Sequence, residues 1–175
     1  MHVIITAPHG HPFLNDVVAT PIVRNLEKLL HNTDITFEAF VNLEPRSSGD
    51  MNRPSTRGTP FRNLIEEAMK EGADFLLDIH GFPDSTTSPF KGYDIVVLQS
   101  YKRQGPLPDL YCKNLKKYAK DYKLKIDLQT ASLENDVVKQ AYEYGIPAVL
   151  VEHNELGPPE TYAIIHAGVL ININI

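Results

Sequence analysis

The sequence predicts a single α/β domain: a mixed, largely parallel sheet flanked by helices. Three observations carry that expectation. Apolar runs that read as strands alternate along the chain with stripes of 3.6-residue period that read as helices. The runs "FLL" (75–77) and "AVLV" (148–151) are apolar at successive positions, as strands covered on both faces must be. The 175 residues, 1–175, contain no repeat, low-complexity segment or linker, so one domain with a sizeable core is expected.

In chain order, Val3 to Ala7 reads as the first strand. Asp16 to Leu30 reads as a helix, with Val17, Val18, Ile22, Val23, Leu26, Leu29 and Leu30 on one stripe and Asn15 or Asp16 suited to its N-cap. Ile35 to Val41 is a short strand. The 19 residues "NLEPRSSGDMNRPSTRGTP" that follow have no periodicity, and a loop this long inside a small domain is often functional. Pro60 to Lys70 returns to helix and stops at Gly72. Phe75–Ile79 and Tyr93–Leu98 are strands, separated by the loop "GFPDSTTSPFKG". Leu107–Tyr122 is a helix, Leu124–Leu128 a short edge strand and Asn135–Tyr144 a helix. Ala148–Val151 is a fully apolar strand, Pro159–Ala167 the last helix, and "VLININI" an extended tail.

Composition narrows the function classes. A net charge of −5 argues against a nucleic-acid surface, and the basic stretch Lys113–Lys125 reads as a solvated helix face. No run approaches the ~20 apolar residues of a membrane span. The N-terminus enters a strand directly, without the basic and apolar regions of a secretory signal, so a cytoplasmic setting is expected. Cys112, the one cysteine, excludes an internal disulfide framework and lies on the apolar side of its helix.

Three strands end in ionisable residues. Val3–Ala7 is followed by Pro8-His9-Gly10-His11, Phe75–Ile79 by His80-Gly81, and Ala148–Val151 by Glu152-His153-Asn154. Ligands of parallel sheets bind beyond the carboxyl ends of the strands, which puts His9, His80 and Glu152 on one rim. Two imidazoles there suit zinc, which at catalytic sites takes three protein ligands and a water. Asp78 shares a strand face with His80 and could orient its ring. A carboxylate after four apolar residues is costly unless paired or used; beside an activated water Glu152 suits a general base. His153 would point to the other side if the strand continued. In the long loop, Asn52, Arg53 and Arg57 offer donors for a substrate carboxylate.

The segments "APHGH", "DMNRP", "LLDIHG" and "VLVEHNE", in that order across residues 3 to 154, resemble the N-formylglutamate amidohydrolase family. That family lies within the wider group of zinc carboxypeptidase-like and aspartoacylase-like hydrolases. The resemblance implies a hydrolase-like mixed α/β sheet with one Zn(2+), cleaving an amide next to a carboxylate. It implies His9 and His80 as metal ligands, Asn52 and Arg53 as carboxylate binders, and Glu152 as the water-activating base. Carboxypeptidases and aspartoacylases place a glutamate three residues after the first histidine, where this chain has Pro12. The acidic residue entering the first helix, Asp16, matches the third ligand of the N-formylglutamate group; His11 and Asp50 compete for that place.

The expected protein is thus a zinc amidohydrolase acting on a small carboxylate-bearing substrate, an N-acyl amino acid or a C-terminal peptide residue. Arg53, with Arg57 or Arg46 in support, would anchor the carboxylate. Two other classes stay open at this point: a metal-free module that binds an acidic metabolite, and a two-metal phosphoesterase drawing on Asp50, Asp78, Asp84 and His11.

Overall fold

The computed structural model describes residues 1–11, 16–99, 106–130 and 135–173, with the backbone alone at residue 46. Strands β1 (His2–Ala7), β2 (Thr36–Val41), β3 (Phe75–Phe82), β4 (Ile95–Gln99), β5 (Ile126–Thr130) and β6 (Ala148–Asn154) form one sheet in the order β2-β1-β3-β6-β4-β5. β2, β1, β3 and β6 are mutually parallel; β4 runs against β6, and β5 follows β4. The carboxyl ends of β1, β3 and β6 therefore share one rim, while β4 and β5 end at the other.

Five helices cover the sheet: α1 (Ala19–Leu30), α2 (Pro60–Glu71), α3 (Leu107–Tyr118), α4 (Asp136–Glu143) and α5 (Pro159–Asn172). Strand alternation divides the core. Val3 and Ile5 of β1, Phe75, Leu77 and Ile79 of β3, and Val149 and Val151 of β6 pack with α1, α3 and α5. Ile4, Leu76 and Leu150 point the other way and pack with α2 and α4. Cys112 is buried in the first of these clusters. No described helix is long and apolar enough to cross a membrane.

Of the boundaries that differ from the expectation, three change the description, and two of those matter at the rim. α1 begins at Ala19, so Asp16 precedes the helix instead of capping it; Asn15 lies outside the described residues. β3 and β6 continue through their polar ends, pairing His80 with Glu152, Gly81 with His153 and Phe82 with Asn154. A polar side chain does not end a strand while its backbone groups still find ladder partners. The third difference is the tail: α5 runs on to Asn172 because Val169 and Leu170 continue the buried stripe of Tyr162, Ile165 and His166. The alternating "ININ" pattern is overridden by packing against α1 and α3.

Candidate metal centre

The strand ends do meet. His9 follows β1, His80 stands on β3 beside it, and their rings lie 5.2 Å apart at 74°. Asp16 completes the group: one ligand atom from each of His9, Asp16 and His80 lies within 4.8 Å of the other two, and all three residues are buried. Asp16 Oδ2 is 3.4 Å from His9 Nδ1 and 3.1 Å from His80 Nδ1. Donors ~2.0–2.1 Å from a tetrahedral zinc stand roughly 3.3 Å from one another. The spacing fits.

Backbone geometry explains how Asp16 gets there. It adopts φ +42, unusual for a non-glycine residue but tolerated best by Asp and Asn. Its Cα crosses the end of β3 directly over Gly81, where a Cβ would sit 3.0 Å from it. Gly81 is the residue that permits the close approach.

The outer nitrogens of both rings are held by carboxylates. His9 Nε2 lies 2.7 Å from Asp50 Oδ1, and His80 Nε2 lies 3.0 Å from Asp78 Oδ2. Each carboxylate can take an Nε2–H, which leaves Nδ1 as the nitrogen of each ring that faces Asp16 and that could serve a metal in place of a proton; histidine ligands of metals are oriented in this way. Asp78 is fully buried, and it also accepts from Thr6 Oγ1 and from Asn135 Nδ2. Asp50 also accepts from the Asn52 N–H and from Arg53 Nε.

Electrostatics supports the same donor set. Burial opposes charge on His80, yet Asp78, Asp16 and Glu152 hold its pKa well above the usual imidazole range. Burial likewise opposes charge on Asp16, and contacts with His80 and His9 overcome it and keep the carboxyl far below the carboxylate range. A pocket that stabilises positive charge at these atoms and concentrates carboxylates around two imidazoles suits a divalent cation.

Glu152 is the register partner of His80 and shares its sheet face, on the α2/α4 side. It lines a cavity of about 500 Å³ together with Asp16, His80, Phe82, Phe90 and Glu155. That volume accommodates a small molecule.

The long loop is fixed to α4. Asn52 Oδ1 accepts from the Val137 N–H at the start of that helix. Asn52 Nδ2 packs 3.2 Å from His80 Nε2, whose proton goes to Asp78, so Asn52 braces the ring. Both groups of the Asn52 amide, expected to serve a substrate carboxylate, thus meet protein partners. Arg57, also expected to bind substrate, makes a two-pronged pair with Asp136 at 2.9 Å and reaches Glu143 at 3.0 Å. Carboxylates of the protein itself occupy its guanidinium, so it anchors the loop. Arg53 differs. Its Nε meets Asp50, the side chain is 42% exposed, and its Nη groups bond no described residue. The side chain of Arg46 lies outside the description.

Asp50 and His11, the competitors for the third ligand position, stand outside the donor triad among the described residues. What sequence reasoning missed is a polar chain in the core. His153 Nδ1 is 2.9 Å from the His80 carbonyl oxygen, His153 Nε2 is 2.7 Å from His166 Nε2, and His166 Nδ1 is 2.8 Å from Tyr111 Oη. His153, His166 and Tyr111 are all fully buried. His153 was signalled by strand alternation; the partners on α3 and α5 had no local signal.

Burial pushes His153 down to about 4 and His166 well below the imidazole range. Both groups therefore bind fewer protons folded than unfolded between pH 6.5 and their folded values. Their contribution to stability is complete above 6.5 and is lost as pH falls, by up to about 1.4 kcal/mol per pH unit for each group. His80, with its raised value, works in the opposite direction, so the prediction is differential. Urea midpoints of His166→Gln should fall less steeply from pH 7 to pH 5 than those of the wild type. Equal slopes would mean that His166 is not held neutral.

The geometry defines an α/β fold with a rim-mounted site, and solved structures share that architecture. The gene product Atu2144 of Agrobacterium tumefaciens is 15% identical, with TM-score 0.65 over 97% of this chain and 87% of its own. The catalytic domain of CwlV, an N-acetylmuramoyl-L-alanine amidase from Bacillus (Paenibacillus) polymyxa var. colistinus, is 15% identical, with TM-score 0.60 over 97% and 94%. A candidate metallopeptidase from Shewanella denitrificans is 12% identical, with TM-score 0.60 over 97% and 71%. At these identities the likeness establishes the fold. No protein-family model matches the chain, and no curated protein matches it by sequence.

Proposed function

We propose that this protein is a metal-dependent amide hydrolase, and within that class a zinc enzyme of the N-formylglutamate amidohydrolase type. Its substrate would be an N-acyl amino acid or the C-terminal residue of a small peptide. The observation that carries the reading is the convergence of His9 Nδ1, Asp16 Oδ2 and His80 Nδ1 beside a cavity that also holds Glu152. The shared fold of an amidase and a candidate metallopeptidase supports it.

Zn(2+) held by His9, Asp16 and His80 would polarise the scissile carbonyl and acidify the attacking water. Glu152 then takes the water's proton as general base and returns it to the leaving amine. Arg53, one carboxylate away from His9 through Asp50, offers its Nη groups to the substrate carboxylate. Asp50 and Asp78, two of the residues that could have served a two-metal phosphoesterase, lie against the outer imidazole nitrogens.

The test is metal analysis of the purified protein, followed by a screen of N-acyl amino acids on the zinc-loaded form. One equivalent of zinc and turnover of at least one substrate are expected; a metal-free protein that binds acidic metabolites without cleaving them would overturn the reading. Arg53→Ala should cost about 10–100-fold in kcat/KM on substrates with a free carboxylate, the loss of one or two charged hydrogen bonds. The same substrates as primary amides should lose little. Equal losses on both would remove Arg53 from carboxylate recognition.

A further inference from the structure

We propose that Tyr111, His166 and His153 are positioning residues of the metal centre, forming a one-directional hydrogen-bond chain that pins the main chain of His80. The inference rests on His80 being a metal ligand.

The direction of the chain follows from what each atom can do. The His80 carbonyl oxygen can only accept, so His153 Nδ1 carries the proton across the 2.9 Å contact. In an apolar core both rings are neutral, so His153 Nε2 has a lone pair and must accept. His166 Nε2 therefore donates across 2.7 Å, which leaves His166 Nδ1 to accept from the Tyr111 hydroxyl across 2.8 Å. Each step fixes the next. The chain runs from α3 through α5 to β6 and discharges into one backbone oxygen on β3.

Placement gives this a function. Three polar groups sit at no exposure, with Phe75 stacked on Tyr111 and the Tyr162 ring beside His153, where apolar side chains would fill the same space at less desolvation cost. The groups satisfy one another in series, and the end of the series is the residue whose ring faces Asp16. His80 is thereby held twice: its Nε2 by Asp78 and its carbonyl by His153. It needs both, because β3 leaves the sheet two residues later at Phe82, where the ladder ends. Supporting groups behind a metal ligand commonly decide metal affinity as well as ligand geometry.

The experiment has two arms. Long-range ¹H–¹⁵N spectra of the wild-type protein at pH 7 should show His153 as the Nδ1–H tautomer and His166 as the Nε2–H tautomer. Finding His153 protonated at Nε2 would overturn the chain. The second arm titrates Zn(2+) and Co(2+) into wild type, His166→Phe and His166→Gln. His166→Phe should bind metal roughly tenfold more weakly and shift the Co(2+) d–d bands. His166→Gln, whose amide N–H can replace Nε2–H, should recover most of the loss, which filling the core alone would not achieve. A folded His166→Phe with wild-type affinity and spectrum defeats the inference and leaves the metal site standing. Wild type that binds neither ion defeats the metal reading itself. Should His166→Phe not fold, Tyr111→Phe removes one oxygen and is read in the same way, with a smaller loss expected.

Discussion

Glu152→Gln should lower kcat/KM by about 10²–10⁴-fold while zinc content stays at the wild-type level. Glutamine keeps the shape and one acceptor oxygen but cannot take a proton from water at neutral pH. Glu152 stands beside His80 in the sheet register and lines the cavity, while the donor triad is formed by other residues. Base and ligand functions should therefore separate. Turnover and metal content, measured on the same preparation, check this. Parallel loss of both would make Glu152 a ligand; retained turnover would transfer the base function elsewhere, with Glu155 in the same cavity the first place to look.

Asp136→Ala should destabilise the fold by about 3–5 kcal/mol, the cost of removing one partner of a buried ion pair. Asp136 and Arg62 are both 1% exposed, and Arg62 Nη2 lies 2.9 Å from Asp136 Oδ2. Arg62 also donates to the Met51 carbonyl oxygen and to Gln140, so it ties α2, α4 and the long loop together at one guanidinium. Without Asp136 that cation stays in the core uncompensated, and Arg57 loses its two-pronged contact as well. Denaturant unfolding gives the value. Combining the change with Arg62→Met should recover much of the loss, since the penalty comes from the stranded charge. Activity should fall with stability, because Asn52 and Asp50 belong to the same loop.

Much of the site was legible because it is built from strand ends. Apolar runs at positions 3–7, 75–79 and 148–151 announced central strands, and parallel strands deliver their ends to one rim. His9, His80 and Glu152 followed directly. Asp16 came from resemblance alone: nothing in its neighbourhood shows that the chain would cross Gly81 in a left-handed conformation. The resemblance set Arg53 ahead of Arg57 as a carboxylate binder, but no local signal showed what Arg57 would meet. Asp136 and Glu143, 79 and 86 residues further on, engage it, and only the fold brings α4 against that loop.

The order of apolar and polar residues by itself determined the α/β alternation, the central strands and the chemistry waiting at their ends. Burial periodicity is local and can be read along the chain. Tertiary structure alone decided which nitrogen of each imidazole faces Asp16, which arginine is tied to α4, and that Tyr111, His166 and His153 form a chain behind His80. Apart from the Asp78–His80 contact, those outcomes depend on partners distant in sequence, and a proton's position is set by the atom opposite it, wherever in the sequence that atom lies.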